Sequence, residues 1–249
     1  MKRKHSPRPF VDRAITVFLI AAVLVACLAF IIKFSGPRIL QHYIESGMGN
    51  CEGSALLCLT ADSEIVNPPV NADYIAGLAE YQLGEMEVRL PKEFIVVKES
   101  ITKVYYKKRR YKHGGAVIYL TIQKPGFFIN LFPQFKRQGI NSDYDFISRI
   151  MCARLPDIRN LQDAFFVIMK GIFTPDVGDQ KSARISRFIL GKKRGFITCN
   201  FTDSSNYFDC NFVDSHGNYF KIYIKDKNRV LDLDKVLAIV STVNKRGHG

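Results

Sequence analysis

The sequence predicts an α+β domain, an antiparallel sheet with helices packed on it, carried behind a single N-terminal transmembrane helix. Three observations predict this. Residues 14–32 form one uncharged run in which only Thr16 is polar. From residue 85 the apolar residues alternate with period two over several short segments joined by turn residues. Between and after those segments stand stretches with helical spacing, so strands and helices are segregated rather than strictly alternating.

The run 14–32 is just long enough to cross a bilayer core of roughly 30 Å at 1.5 Å per residue. Lys2, Arg3, Lys4, Arg8 and Arg13 precede it, while Lys33 and Arg38 follow. Basic flanks stay cytoplasmic, so the N-terminus is expected inside and the chain from about residue 34 outside, at a bacterial inner membrane. Two alternatives use the same residues. One is a cleaved secretory signal, although no clear cut site of small residues ends the run. The other is lipoprotein processing, because Leu24-Val25-Ala26-Cys27 is similar to a lipobox ending in a lipidated Cys27. The domains expected are a basic tail 1–13, a transmembrane helix 14–33, a juxtamembrane helix and linker 34–83, an α+β domain 84–245 and a tail 246–249.

Pro37 suits the first turn of a helix, and Ile39, Leu40, Tyr43 and Ile44 share a face that Gly47 ends. This short helix is expected to lie on the headgroups or to continue the span as a stalk. Residues 48–75 read as a linker. Within it Cys51 and Cys58 would be about 10 Å apart on a helix, too far to bridge, but Gly53-Ser54 disfavours that helix and favours a disulfide loop.

Met86, Val88 and Leu90 begin the period-two pattern, and Phe94 to Val97 resume it after Pro91. Val104–Tyr111 and Ala116–Gln123 flank Lys112-His113-Gly114-Gly115, a hairpin signal. Residues 126–133 are apolar enough for a buried strand, or for a loop touching the bilayer or a partner. Ser142 with Asp145 opens a helix bearing Phe146, Ile147, Ile150 and Met151, and Ile158, Leu161, Phe165, Ile168 and Ile172 mark the apolar face of a second. Ile185–Leu190, Gly195–Phe201, Tyr207–Val213 and Tyr219–Lys225 form a meander, with Gly217 left-handed in its last turn. Centring the second turn between Ser204 and Ser205 sets Cys199 opposite Cys210, either bridged or as two packed thiols, with Thr198, Asn200, Asp209 and Asn211 on the other face. The third turn sets Phe212 against Phe220, Cys210 against Ile222 and Phe208 against Ile224. Asp232 caps a closing helix with Leu233, Val236, Leu237, Val240 and Val243 on one face.

Leu90-Pro91-Lys92-Glu93-Phe94-Ile95, the terminal meander and the helix from Leu233 to Val243 resemble the PsbP/Mog1-like sandwich domains over residues 84–245. That resemblance implies a binding or assembly factor without a shared active site, and it carries over no functional residue.

The chain has a formal charge of +13, and the part beyond residue 13 still carries about +9. Such an excess favours anionic lipid, polysaccharide or an acidic protein; a translocated domain is a poor partner for nucleic acid. Lys107, Lys108, Arg109 and Arg110, set among tyrosines, are the candidate anionic-partner site, against a solvated edge that resists aggregation. No phosphate loop, nucleophile elbow or zinc-protease motif occurs, and neither cysteines nor histidines have metal-ligand spacing. No catalytic residue, metal or cofactor is therefore assigned. The expected function is a non-catalytic, single-pass envelope protein with an extracytoplasmic binding or assembly domain. The alternatives are an anchored hydrolase acting on envelope polymer and a carrier of lipid or a small ligand.

Overall fold

A computed structural model describes residues 35–245, apart from 53–54, 84–85, 103–105, 114 and 175–181. The apolar run 14–32 and Cys27 lie outside the described residues. Within them no helix is long and apolar enough to cross a membrane.

The chain is mixed α+β. Helix α1 covers 35–48. Then come β1 (Ala61–Val66), α2 (Ala72–Ala76), β2 (Leu78–Leu83), β3 (Met86–Pro91), β4 (Ile95–Thr102), β5 (Tyr106–His113) and β6 (Ala116–Gln123). The helical section is α3 (Phe127–Leu131), α4 (Asp143–Cys152) and α5 (Leu161–Phe173). It is followed by β7 (Arg184–Leu190), β8 (Lys193–Phe201), β9 (Asn206–Val213), β10 (Tyr219–Asp226), α6 (Leu233–Thr242) and β11 (Asn244–Lys245). The main sheet has eight strands in the order β1-β7-β8-β9-β10-β6-β5-β4, and β11-β3-β2 form a second sheet. Every pair is antiparallel except β1 with β7, so the main sheet is mixed.

Both faces of the central strands β8 and β9 are buried. Phe188, Ile197, Cys210, Phe212, Phe220, Ile222, Ile118 and Leu120 meet α6 and the small sheet through Val236, Leu237, Val240, Val88 and Leu90. Side chains alternate along a strand, so Ile185, Phe196, Val213 and Tyr219 take the opposite face. They pack under α3, α4 and α5 against Phe128, Phe146, Ile150 and Phe166. A sheet covered on both sides explains why Thr198, Asn200, Asp209 and Asn211, which alternation alone sends to solvent, are all buried. Gly195 shows how tight the apolar side is. It lies between Phe188 and Phe212 in the register, and a Cβ there would come within 2.3 Å of the Asn211 carbonyl oxygen.

Local chemistry sets the element ends. Ser142 accepts from Asp145 N at 3.1 Å, Asn160 from Gln162 N and Asp163 N at 2.9 Å, and Asp232 from Lys235 N at 2.9 Å. The third turn of the meander has Gly217 at φ 77°, and β9 pairs with β10 as Phe212–Phe220, Cys210–Ile222 and Phe208–Ile224. Residues 126–133 are not a strand. The Asp143 carboxylate accepts from Phe127, Phe128 and Ile129 N, and this cap starts the short helix α3. Burial raises the Asp143 pKa, and these backbone bonds oppose that rise.

Three further expectations are corrected. The linker contributes β1, which hydrogen-bonds along β7 with Glu64 opposite Arg187 and Val66 opposite Ile189, so the folded unit begins well before residue 84. The β8–β9 register is shifted by two residues: Cys199 faces Phe208, and Cys210 faces Ile197. Thr202 Oγ1 accepts from Ser205 N and donates to Ser205 O, which centres the turn on Asp203-Ser204. Cys199 and Cys210 are therefore diagonal, and both are free thiols. Cys51 and Cys58 are joined in a disulfide with Cα atoms 5.6 Å apart.

The third correction is the phase of α5. Leu161, Ile168 and Ile172 are exposed, whereas Ala164, Phe166, Val167 and Lys170 are buried. The Lys170 ammonium donates to Leu59 O at 2.5 Å and Ala153 O at 2.9 Å. Beside it α1 packs Ile44, Leu40 and Met48 against Leu57, Leu155, Ile158 and Val167, and Gly49 at φ 91° ends the helix two residues beyond the expected stop.

Lys170→Met retains the packed stem but leaves the half-buried carbonyls of Leu59 and Ala153 without this donor. It should destabilise the fold by about 2–4 kcal/mol in denaturant titration, while an exposed change such as Ile172→Ala should cost little. Burial pushes the Cys199 thiol up to about 12 and Cys210 well above its ordinary value of 9.0. The folded state then keeps protons that the unfolded chain loses above pH 9. Stability is intact below pH 9 and falls above it, by about 1.4 kcal/mol per pH unit per thiol. The double variant Cys199→Ala, Cys210→Ala should flatten that alkaline limb in pH-dependent unfolding.

Candidate functional site

Lys107, Lys108, Arg109 and Arg110 lie on β5, one strand in from the sheet edge. Register sets Lys107 opposite Ile122 and Arg109 opposite Leu120, while Lys108 and Arg110 face Thr121 and Tyr119. In the backbone register Glu99 on β4 is the neighbour of Arg109.

Two concavities occur elsewhere. A cleft of about 690 Å³ opens where the β7–β8 and β9–β10 turns meet the end of α6, and Lys192, Lys193, Asp214, His216 and Asn244 line it. Lys193 is nearly buried, and its ammonium donates to Ser241 O at 2.5 Å and Asn244 Oδ1 at 3.5 Å. A cation there meets the negative end of α6. Burial lowers the Lys193 pKa to about 8, with Asp214 acting in the opposite sense. The Asp214 carboxylate is held by its own turn, accepting from His216 N, Asn218 N and Asn218 Nδ2. Lys192 and His216 stand exposed on the rim, so the cleft can receive a small anionic group. In the sequence Lys192 and Lys193 are two adjacent and equivalent charges. The separation of their roles comes from α6, which returns from the end of the chain to cover one of them.

The second concavity is a depression of about 130 Å³ between α4 and α5, lined by Arg149, Arg154, Arg159, Asp157 and Asp163. Its charges are largely satisfied. Arg154 holds Asp157 through two bonds at 2.6 and 3.0 Å, and Asp163 lies 3.5 Å from Arg149 and 3.4 Å from Arg159. The side-chain bond from Arg154 holds the Asp157 carboxyl below its usual range.

Between the sheet and the helical layer is a buried polar cluster. The Lys221 ammonium lies 3.1 Å from Asp209 Oδ2 and also donates to the Phe173 carbonyl. Asn211 Nδ2 donates to Asp209 Oδ1 at 2.8 Å, and Tyr219 OH donates to Asn211 Oδ1 at 2.7 Å. Burial raises the Asp209 pKa against the pull of Lys221 and Asn211, and burial likewise pushes Tyr219 well above 10.0. This cluster ties β9 and β10 to the end of α5. Only the charge in Phe208-Asp209-Cys210 hinted at it, and alternation read that charge as a solvent-facing residue. Among the described residues no group of histidine, cysteine, aspartate or glutamate is placed to hold a metal ion.

Comparison with known proteins leaves this geometry without a family. No protein-family profile matches the chain. No curated protein matches it. A crystal structure of a protein from Bacteroides thetaiotaomicron is similar at 8% identity and a TM-score of 0.32, over 70% of this chain. The chain spans about half the length of that protein, 50%.

The Lys193 amine should titrate near pH 8, apart from the other lysines, in competitive acylation read by mass spectrometry. Its folded value lies below the ordinary 10.5, so the unfolded chain keeps a proton that the folded protein sheds. Stability should therefore gain as pH rises from 8 to 9, before the thiols reverse the trend, and Lys193→Met should remove the gain.

Proposed function

We propose that this protein is a membrane-anchored, non-catalytic binding or assembly module, held by residues 14–32 with its N-terminus in the cytoplasm of a bacterial cell and its domain outside. The observation that carries the reading is the docking of α1. The helix that follows the apolar run within three residues is built into the domain through Ile44, Leu40 and Met48. An anchor ending at residue 32 would thus lie within three residues of the folded unit. The Cys51–Cys58 disulfide, directly behind α1, supports an oxidising compartment.

The resemblance to PsbP/Mog1-like sandwich domains belongs to the same proposal. Anionic lipid, polysaccharide or an acidic protein are the partner classes that the charge of +13 favours. In the larger cleft Lys193 and Asp214 are engaged with backbone, which suits a structural role for those two groups better than proton transfer. The two concavities described above are lined by charged groups, which suits a polar or anionic ligand better than an acyl chain.

A C-terminal alkaline phosphatase fusion should be active and a cytoplasmic reporter fusion inactive; the reverse pattern ends the topology. The full chain should bind anionic vesicles or polymer in a salt-sensitive way. Reversing the charges of Lys107, Lys108, Arg109 and Arg110 should weaken that binding, and equal binding by the variant at low salt would remove β5 from the partner surface.

A further inference from the structure

The exposed side of α5 carries no charge. Its two charged residues both turn inward: Lys170 is fully buried, and Asp163 is held by Arg149 and Arg159. What faces solvent is Leu161 at 75% exposure, Ile168 at 37% and Ile172 at 59%, with half-buried Phe165 between them. Positions 161, 165, 168 and 172 fall on one stripe at about 100° per residue, directly opposite Lys170. Folding ordinarily turns such a stripe into the core; here a lysine takes the core and the stripe remains outside.

Helix α1 runs beside α5 in the same direction. Gln41 Nε2 donates to Pro156 O just ahead of α5, and Met48 lies against Gly171 near its end, where a Cβ would meet the Met48 methyl at 2.0 Å. Leu40, Ile44 and Met48 face the domain, whereas Ile39 and Tyr43 stand 63% and 77% exposed. For parallel right-handed helices in contact along these residues, the phasing turns Ile39 and Tyr43 to the same side as the α5 stripe. Only Lys33 and Phe34 separate the apolar run from α1. Three Cα steps reach at most about 11 Å, so the start of this two-helix face lies within that distance of the point where an anchor would leave the bilayer.

We infer that the paired outer faces of α1 and α5 lie on the lipid bilayer, with Leu161, Ile168 and Ile172 at the acyl boundary and Tyr43 at headgroup level. This rests on the anchored reading above. An interfacial helix buries its apolar side about 5–10 Å into that boundary, which suits a charge-free stripe flanked by a tyrosine. Pro37, in the first turn of α1, has no N–H to continue a helical ladder from residue 33, so a crossing segment and a surface-lying α1 need not be collinear.

The chain contains no tryptophan, so a single introduced one reports alone. Leu161→Trp, Ile168→Trp and Val230→Trp would be made in the full chain and placed in nanodiscs of phosphatidylcholine and phosphatidylglycerol, with and without bromine on the acyl chains. Tryptophan at 161 and 168 should emit to the blue and lose emission on brominated lipid. Tryptophan at the exposed position 230, ahead of α6 on the other side of the sheet, should do neither. Retention of the chain in the discs through an alkaline wash tests the anchor separately. Retention without quenching at 161 and 168 overturns the lipid face while leaving the anchor intact. A blue shift indifferent to bromine also overturns it, by identifying contact with protein, a second copy included. Loss of the chain in the wash overturns the anchored reading and the lipid face with it.

Discussion

One buried ammonium sets the arrangement of the helical layer. Lys170 is held by the carbonyls of Leu59 and Ala153, one on the approach to β1 and the other at the end of α4. These are carbonyls that secondary structure leaves without partners, and an amine on a long stem can reach both at once. With Lys170 fixed inward, the rotation of α5 is fixed. Ala164 and Val167 then turn toward α1, while Phe166 joins the ring cluster of Phe128, Phe135 and Phe146. The polar contact thereby decides where two apolar clusters meet. Its removal would free a helix that has a second, strongly apolar face available for burial.

The main sheet applies a related principle on a larger scale. Its central strands, covered on both faces, are apolar on one side and carry buried polar groups on the other, some joined in a network and others, Thr198 Oγ1 and Asn200 Nδ2, without a partner among the described residues. Asp209, Asn211, Tyr219 and Lys221 form such a connected set, and it joins two strands to the carbonyl end of α5. A polar network of this kind specifies how the helical layer is seated, since the apolar rings around it could slide against one another at smaller cost.

Much of the fold was legible because it is encoded locally. The cap at Ser142, the left-handed Gly217, the cap at Asp232 and the β9–β10 register depend on a few adjacent residues. The misread parts depend on distant ones. The β8–β9 turn hinges on a hydroxyl bond between Thr202 and Ser205 that several arrangements of Thr-Asp-Ser-Ser would permit. The phase of α5 was misread because its apolar residues outnumber the positions the core could take, and only Leu59 and Ala153 decide which side loses. Strand β1 was hidden for the same reason: its ladder partner lies more than a hundred residues away. Among the candidate sites, the charges of β5 were visible, but their place one strand in from the sheet edge follows from the pairing with β4. Lys193 was visible as a charge, but its burial follows from α6.

The parallel pairing of β1 with β7 has a kinetic consequence. Ser63 must wait for Ser186, 123 residues later, before the hydroxyl bond between them can form. The chain emerges N-terminus first, so through most of synthesis this strand has no edge to join. The Cys51–Cys58 loop, with a separation of only seven residues, can close at once. Early in the life of the chain it is a small covalent loop that shortens the wandering segment next to β1, limiting the search before the parallel ladder can close.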